Sequence, residues 1–315
     1  MSSVILDTAL QQGLLYAVAV FGIIISFRMM NFPDLTVDGS FTLGGAVLAI
    51  SLINGYSIFI SLLFASVSGF LAGVSTALLN RKFGISKILS GILIMLILYS
   101  INLRVMGKAN ISLLRIDTMF TPFSNSNDSS LILFLFGIVS ILFVLLSYFS
   151  ITRLGLFIRA IGDNEFMVRT QGVNTDWIYI IGIGLSNALV AFSGGMVAQN
   201  QGFADVSMGI GLIITALAAL IIGESFISVI LSLRRKYFRN DKKAYVKHFD
   251  LPWEIFGEFL SAVLGAFLYF LIIAICLQLG LAQTDLKLAT GILVIIGIAI
   301  RFKKTTSETY QKGKL

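Results

Sequence analysis

The chain has 315 residues, of which 57% are hydrophobic and only 12% charged, with a mean hydropathy of +0.93. Soluble domains carry about a quarter charged residues, so a water-soluble fold could not cover its surface here and lipid must solvate much of it. The net charge of +7 would suit nucleic acid, but its distribution along the chain, described below, excludes that reading.

Continuous apolar runs stand at about 10–27, 40–53, 57–79, 86–106, 131–150, 177–198, 206–231, 255–281 and 286–300. A spanning helix needs about 20 apolar residues. The runs are unbroken and rich in Leu and Ile, and an open sheet edge cannot exist in hydrocarbon. They predict an all-α polytopic transmembrane bundle of about 8–10 spanning or partly spanning helices, one domain over 1–315 with no large extramembrane part. The first run has no basic segment before it, so it reads as a spanning helix and not a cleaved signal peptide. Runs 40–53 and 286–300 are too short to cross the hydrocarbon core, as helices bordering a cavity or simply misplaced boundaries would be.

If the runs alternate sides, all 23 lysines and arginines except Arg104, Lys108, Arg115 and Lys287 fall on one face. This positive-inside bias predicts an outside N-terminus and a cytoplasmic C-terminus. The cytoplasmic parts are then a loop of about 153–176, a basic loop of about 234–253 and a tail of about 301–315.

The first patterned stretch is Asn31 to Ala49, NFPDLTVDGSFTLGGAVLA. Pro33 ends the preceding helix, Asp38 stands where an N-cap belongs, and Gly39 and Ser40 open a new helix with a small-residue face at Thr42 and Gly44. Asp34 and Asp38 either cap helices or border a translocation path. Gly69 and Gly73 form a GxxxG, and Ser193-Gly194-Gly195 lies in another run; both are devices for close helix packing.

The second patterned stretch is Arg153 to Asp176, RLGLFIRAIGDNEFMVRTQGVNTD. Asp163 or Asn164 can cap a short helix through Phe166 and Met167, which Gly172 can end. Such an amphipathic helix suits either a protein partner or the lipid interface. Glu254 and Glu258 share a face at a helix start, where the macrodipole favours acids. His248 reads as a loop histidine, and Cys276, the single cysteine, as a small apolar-run residue. No GxxxxGK[ST], HExxH, CxxC or GxSxG occurs, so no catalysis is assigned to this chain.

Together with Gly91–Ile111, Leu185–Gly211 and Thr284–Val294, these two stretches resemble the permease subunits of branched-chain amino acid-type, binding-protein-dependent ABC importers. They are nearest a subgroup labelled tryptophan/tyrosine transport permeases. The resemblance implies that Gly155, Arg159, Ala160, Gly162, Asp163, Asn164, Arg169 and Gly172 form a coupling helix that docks on an ATP-binding subunit. It implies that Asp34, Asp38, Gly39, Ser40 and Thr42, with Asn187, help shape the translocation path. The implied partners are a cytoplasmic ATP-binding subunit carrying ATP and Mg, an extracytoplasmic solute-binding protein, a second permease copy as a homodimer and the lipid bilayer. The implied place is the bacterial cytoplasmic (inner) membrane, and the implied solute an aromatic or branched-chain amino acid. The basic stretch Arg234–Pro252 is longer than the family pattern. The rival reading is an ion-gradient-driven secondary transporter, which would need mid-helix ionisable residues that the apolar runs almost wholly lack.

Overall fold

The computed structural model describes residues 2–123, 128–237 and 251–280, together with Leu288, Gly291 and Ile292. Most of the basic loop with His248, most of the 286–300 run and the 301–315 tail lie outside the described residues, as does the Glu254 side chain.

Nine α-helices stand among the described residues: α1 (Ser2–Ile23), α2 (Thr36–Ile53), α3 (Ile58–Phe83), α4 (Lys87–Met106), α5 (Asp128–Ile151), α6 (Arg153–Thr170), α7 (Thr175–Gln201), α8 (Leu212–Tyr237) and α9 (Leu251–Gln278). A π-helical turn, Ile24–Met29, extends α1. Two three-residue strands, β1 (Asn110–Ser112) and β2 (Phe203–Asp205), pair antiparallel. Seven of the helices are long and apolar enough to cross a membrane, which with the composition makes this an integral membrane protein built as a helical bundle.

Two boundaries differ from the sequence expectation. The segment expected to begin at Ser40 begins at Thr36 and has 18 residues, about 27 Å at 1.5 Å per residue. Asp38 is therefore inside the first turn of α2 and does not cap it. Run 206–231 is not helical from its start: residues 206–211 form turns, and α8 begins at Leu212. The helix then passes through Gly223 without a break.

The chain divides into two compact units, one of Leu14–Ile213 and one of the described parts of Met1–Gly13 and Ile214–Leu315. In the second, α8 and α9 approach through glycines: a Cβ at Gly223 would overlap the Ser261 carbonyl, and one at Gly265 the Ala219 carbonyl. This close approach explains why Gly223 does not interrupt the helix.

The first unit is centred on α2, α3 and α7, which pack mutually. Burial separates its helices sharply. In α2, 78% of the spanning window is inside protein, against 17% in α5, so α2 is core and α5 presents most of its side chains outward. Small residues make the core dense. Gly69 and Gly73 of the GxxxG set α3 against the Asn187 and Ile183 carbonyls of α7, and Gly44 and Gly194 set α2 and α7 in backbone contact at Ala191 and Phe41. Between apolar helices in lipid, such close packing supplies the association energy that water would otherwise drive.

Replacing Gly194 with Val should therefore force α2 from α7 and cost about 3 kcal/mol or more. Gly137→Val on α5, where no atom lies within 4 Å of the added carbon, should leave stability nearly unchanged. Thermal unfolding of the two detergent-purified variants compares them directly; equal midpoints would contradict this packing.

Candidate functional site

Two polar constellations stand out in the first unit. The first lies at the corner where α5 turns into α6. The Thr152 hydroxyl accepts from the Gly155 amide at 3.4 Å and opens α6. A Cβ at Gly155 would strike the Phe149 carbonyl and Ser150, so the corner needs that glycine.

Helix α6 is two helices in one. Asn164 has φ −156° and ψ 97°, which breaks the ladder. Its Oδ1 then accepts from the Met167 amide at 3.1 Å, the geometry of an N-cap. Of the two expected caps, it is Asn164 that caps, leaving a short helix to Thr170. Gly172, at φ +78°, ends the turn in the left-handed region. Phe166 and Met167 are 76% and 58% exposed on this short helix, while Val168 beneath them is buried.

The short helix is tied down by ion pairs. The Arg81 guanidinium of α3 reaches Glu165 at 2.7 Å and Asp176 at 2.6 Å, and it covers the Tyr179 ring with 4.7 Å to the centroid. Arg169 joins Glu165 at 3.2 Å, and the Thr175 hydroxyl donates to Glu165 at 3.2 Å. Burial alone would raise the Glu165 pKa, but hydrogen bonds and charge from Arg81, with help from Thr175 and Arg169, outweigh it and hold the carboxyl below its ordinary range. A depressed carboxyl stabilises the fold above its unfolded pKa and loses that contribution only as pH falls through the folded value. At neutral pH the cluster is fully in force. The Arg81 side chain is only 14% exposed, so this network is worth more than exposed surface pairs of about 0–1 kcal/mol.

Of the other expected coupling residues, Arg159 and Ala160 are half-buried, Asp163 and Arg169 are exposed, and Gly162 abuts Met29 so closely that a Cβ would overlap the Met29 carbonyl. Sequence reasoning missed Arg81, Lys87, Thr175 and Tyr179. Lys87 donates to the Asn31 carbonyl at 3.1 Å and lies near the Phe32 and Tyr179 rings. For Arg81 and Lys87 the only signal was a basic residue at a helix end; Thr175 and Tyr179 gave none.

The second constellation sits halfway along α7. Asn187, at the middle of that 27-residue helix, is fully buried. Its Nδ2 donates to Asp34 at 2.6 Å and its Oδ1 accepts from the Ser40 hydroxyl at 2.7 Å. Asp34 also accepts from the Thr36 amide at 2.9 Å, so Asp34, and not Asp38, satisfies the amino end of α2. Thr36 and Thr76 share a 2.6 Å hydrogen bond. The structure thus brings Asp34, Ser40 and Asn187 together in the interior.

Asp38 acts elsewhere. Its two oxygens accept from the Gly211 and Ile213 amides at 2.9 and 3.0 Å, so it caps the start of α8 from 173 residues away. The physical reason for this correction is direct: with α2 starting at Thr36, the Asp38 side chain projects sideways from a formed turn. Thr42 accepts from the Gly209 amide at 3.1 Å. Gly39 is buried against Leu98, and its carbonyl accepts from Asn102 at 3.3 Å. Among the described residues no group of three or more His, Cys, Asp or Glu comes together as metal ligands would.

Residues 5–299 match the family of the branched-chain amino acid transport system permease component. The chain is 37% identical over 310 residues to a tyrosine transport system permease protein of Clostridioides difficile, covering 97% of this chain and 96% of that one. It is 34% identical over 296 residues to an uncharacterized protein of Rickettsia prowazekii, covering 94% and 97%. It is 29% identical over 198 residues to the galactofuranose transporter permease protein of Escherichia coli, covering 60% of this chain and 55% of the relative. No solved structure matches. The chain belongs to the family of branched-chain amino acid transport system permease components.

Proposed function

We propose that this chain is the membrane-spanning subunit of a bacterial ATP-driven importer of the cytoplasmic membrane. ATP and Mg are bound and turned over on a separate cytoplasmic subunit, and a solute-binding protein delivers the cargo outside. Two permease copies form the path. The N-terminus lies outside and the C-terminus in the cytoplasm, which puts α6 on the cytoplasmic face.

The observation that carries this reading is the short helix after Asn164. It exposes Phe166 and Met167 while Arg81, Glu165, Arg169 and Asp176 fix it to α3 and α7. An exposed apolar face on a rigidly anchored helix is what force transfer from a soluble partner requires; a helix meant only to float at the lipid interface needs no such anchoring. Gly155, Gly162 and Gly172 allow the turns and close approach, Asn164 opens the short helix, and Arg159, Ala160, Asp163 and Arg169 complete the docking segment. Asp34, Asp38, Gly39, Ser40, Thr42 and Asn187 hold the two chain breaks that shape the path.

The cargo is a small solute, and an aromatic or branched-chain amino acid agrees with the tyrosine relative. The partial similarity to a galactofuranose transporter permease is to a protein named for a different kind of solute, so similarity alone does not fix the cargo. Selection then rests chiefly with the binding protein.

Two measurements test the reading. Mild-detergent purification from native membranes should recover an ATP-binding subunit in near-equal amount; none after crosslinking would return the ion-driven carrier to first place. Arg81→Glu should lower ATP-dependent uptake about fivefold to 150-fold, the span of a 1–3 kcal/mol coupling. The reversed pair Arg81→Glu with Glu165→Arg should restore part of that loss, while unchanged uptake in the single variant would remove the anchor from the mechanism.

A further inference from the structure

The stretch between β2 and α8 runs back alongside α2. Ala204, Val206 and Met208 pack with Ala46, Ala49 and Ile50, Met208 meets Gly45, Gly209 bonds Thr42, and Gly211 and Ile213 bond Asp38. From Ala49 to Asp38 is 11 residues of helix, about 16 Å at 1.5 Å per residue. Residues 206–213 therefore enter from the far end of a spanning helix and stop beside its first turns. Those turns lie near Asn187, at the middle of α7. Gly211, at φ +88°, makes the final bend into α8.

Every backbone amide from Val206 to Ile213 is paired. Ala109, Asp205, Thr42, Ser207, Asp38 and Gly209 supply the acceptors. The segment is held firmly in one conformation. Yet Ile210 is 62% exposed and Ser207 is exposed beside it, while Leu212 and Ile213 are buried. Non-helical backbone at membrane depth does not face lipid; it is tolerated where protein buries it or where it lines a water-filled cavity. The exposed polar Ser207, whose hydroxyl is directed to Asp205, and the half-buried Asp38 suit water.

We infer that the re-entrant segment Ser207–Gly211, braced by Asp38 and Thr42, lines the aqueous translocation path, with Ile210 as an apolar projection into it. This rests on the permease reading and sharpens it. Asp34, Ser40 and Asn187 are fully buried, so they support the path wall from behind, and the wall itself is a segment that the sequence presents as part of a helix. An Ile side chain at that point favours passage of solutes with an apolar part and offers no fixed charge to a zwitterion.

The test is thiol accessibility in the intact complex, in a Cys276→Ala background that removes the single native thiol. Ser207→Cys and Ile210→Cys are compared with Leu96→Cys on α4 and Val144→Cys on α5, both exposed apolar positions of spanning helices. A membrane-impermeant thiosulfonate is applied to vesicles of both orientations, with and without ATP. Both path positions should react at least about tenfold faster than the controls, because only a thiol in contact with water ionises readily. Reaction no faster than the controls in every state overturns the inference. Should one variant fail to assemble, the other decides alone. Slow reaction with the ATP-binding subunit still bound leaves the importer reading standing and moves the path elsewhere. Fast reaction without any such subunit keeps the path and removes the ATP-driven reading.

Discussion

Hydrocarbon offers nothing to an unpaired amide, and each one left there costs several kcal/mol. A chain that breaks its helices inside a membrane must therefore bring acceptors to the break. In this protein two carboxylates four residues apart do so. Asp34 accepts from Thr36 at the start of α2, and Asp38 accepts from Gly211 and Ile213 at the start of α8. Both breaks fall near the middle of α7, where Asn187 fastens the first of them. Remove these bonds and neither α2 nor α8 can begin where it does, and the rest of the first unit loses its reference points.

The dense packing around the breaks follows from the same constraint. Acceptors reach buried amides only if backbones approach closely, and Gly44, Gly69, Gly73 and Gly194 allow α2, α3 and α7 to do so. Ser193 and Ser186 then donate to the Leu15 and Gly22 carbonyls of α1, adding interhelical hydrogen bonds worth about 0.6–2 kcal/mol each in a membrane setting. By contrast, α5 is the most apolar span and the least buried. Hydropathy and burial are uncoupled here because lipid, and not the core, receives the most hydrophobic surface.

Much of this was legible in the sequence. Run length gave the bundle, GxxxG gave the α3 contact, and Asn164 with Gly172 marked the short helix, since caps are local chemistry written in adjacent residues. The partners of Asp38 were not legible, because a side chain that caps a helix 173 residues away leaves no local trace. Hydropathy also misled at 206–211: Val206, Met208 and Ile210 look like helix, but the chain turns there and the Gly209 and Gly211 amides pair with Thr42 and Asp38 of α2. Arg81 was read only as a positive-inside charge; its two carboxylate partners come from α6 and α7, which only the fold brings together.

The two constellations are joined by a short piece of chain. Gly162 of α6 touches the Met29 backbone, and Gly182 of α7 touches the Met30 side chain. Asn31, at φ +48°, is a rare left-handed non-glycine and is held by Lys87, and Asp34 follows three residues later on Asn187. Only four residues, Met30 to Pro33, thus separate a contact with α6 from the anchor of α2. Pro33 fixes one dihedral of that link, and the ring contacts of Phe32 and Lys87 restrain it further. A link so short and so restrained has little slack. Under the proposed reading, a displacement imposed on the short helix of α6 cannot be absorbed between Met29 and Asp34. It must either break the Arg81 cluster or shift the start of α2, and with it the Asp38 carboxylate that holds the re-entrant segment.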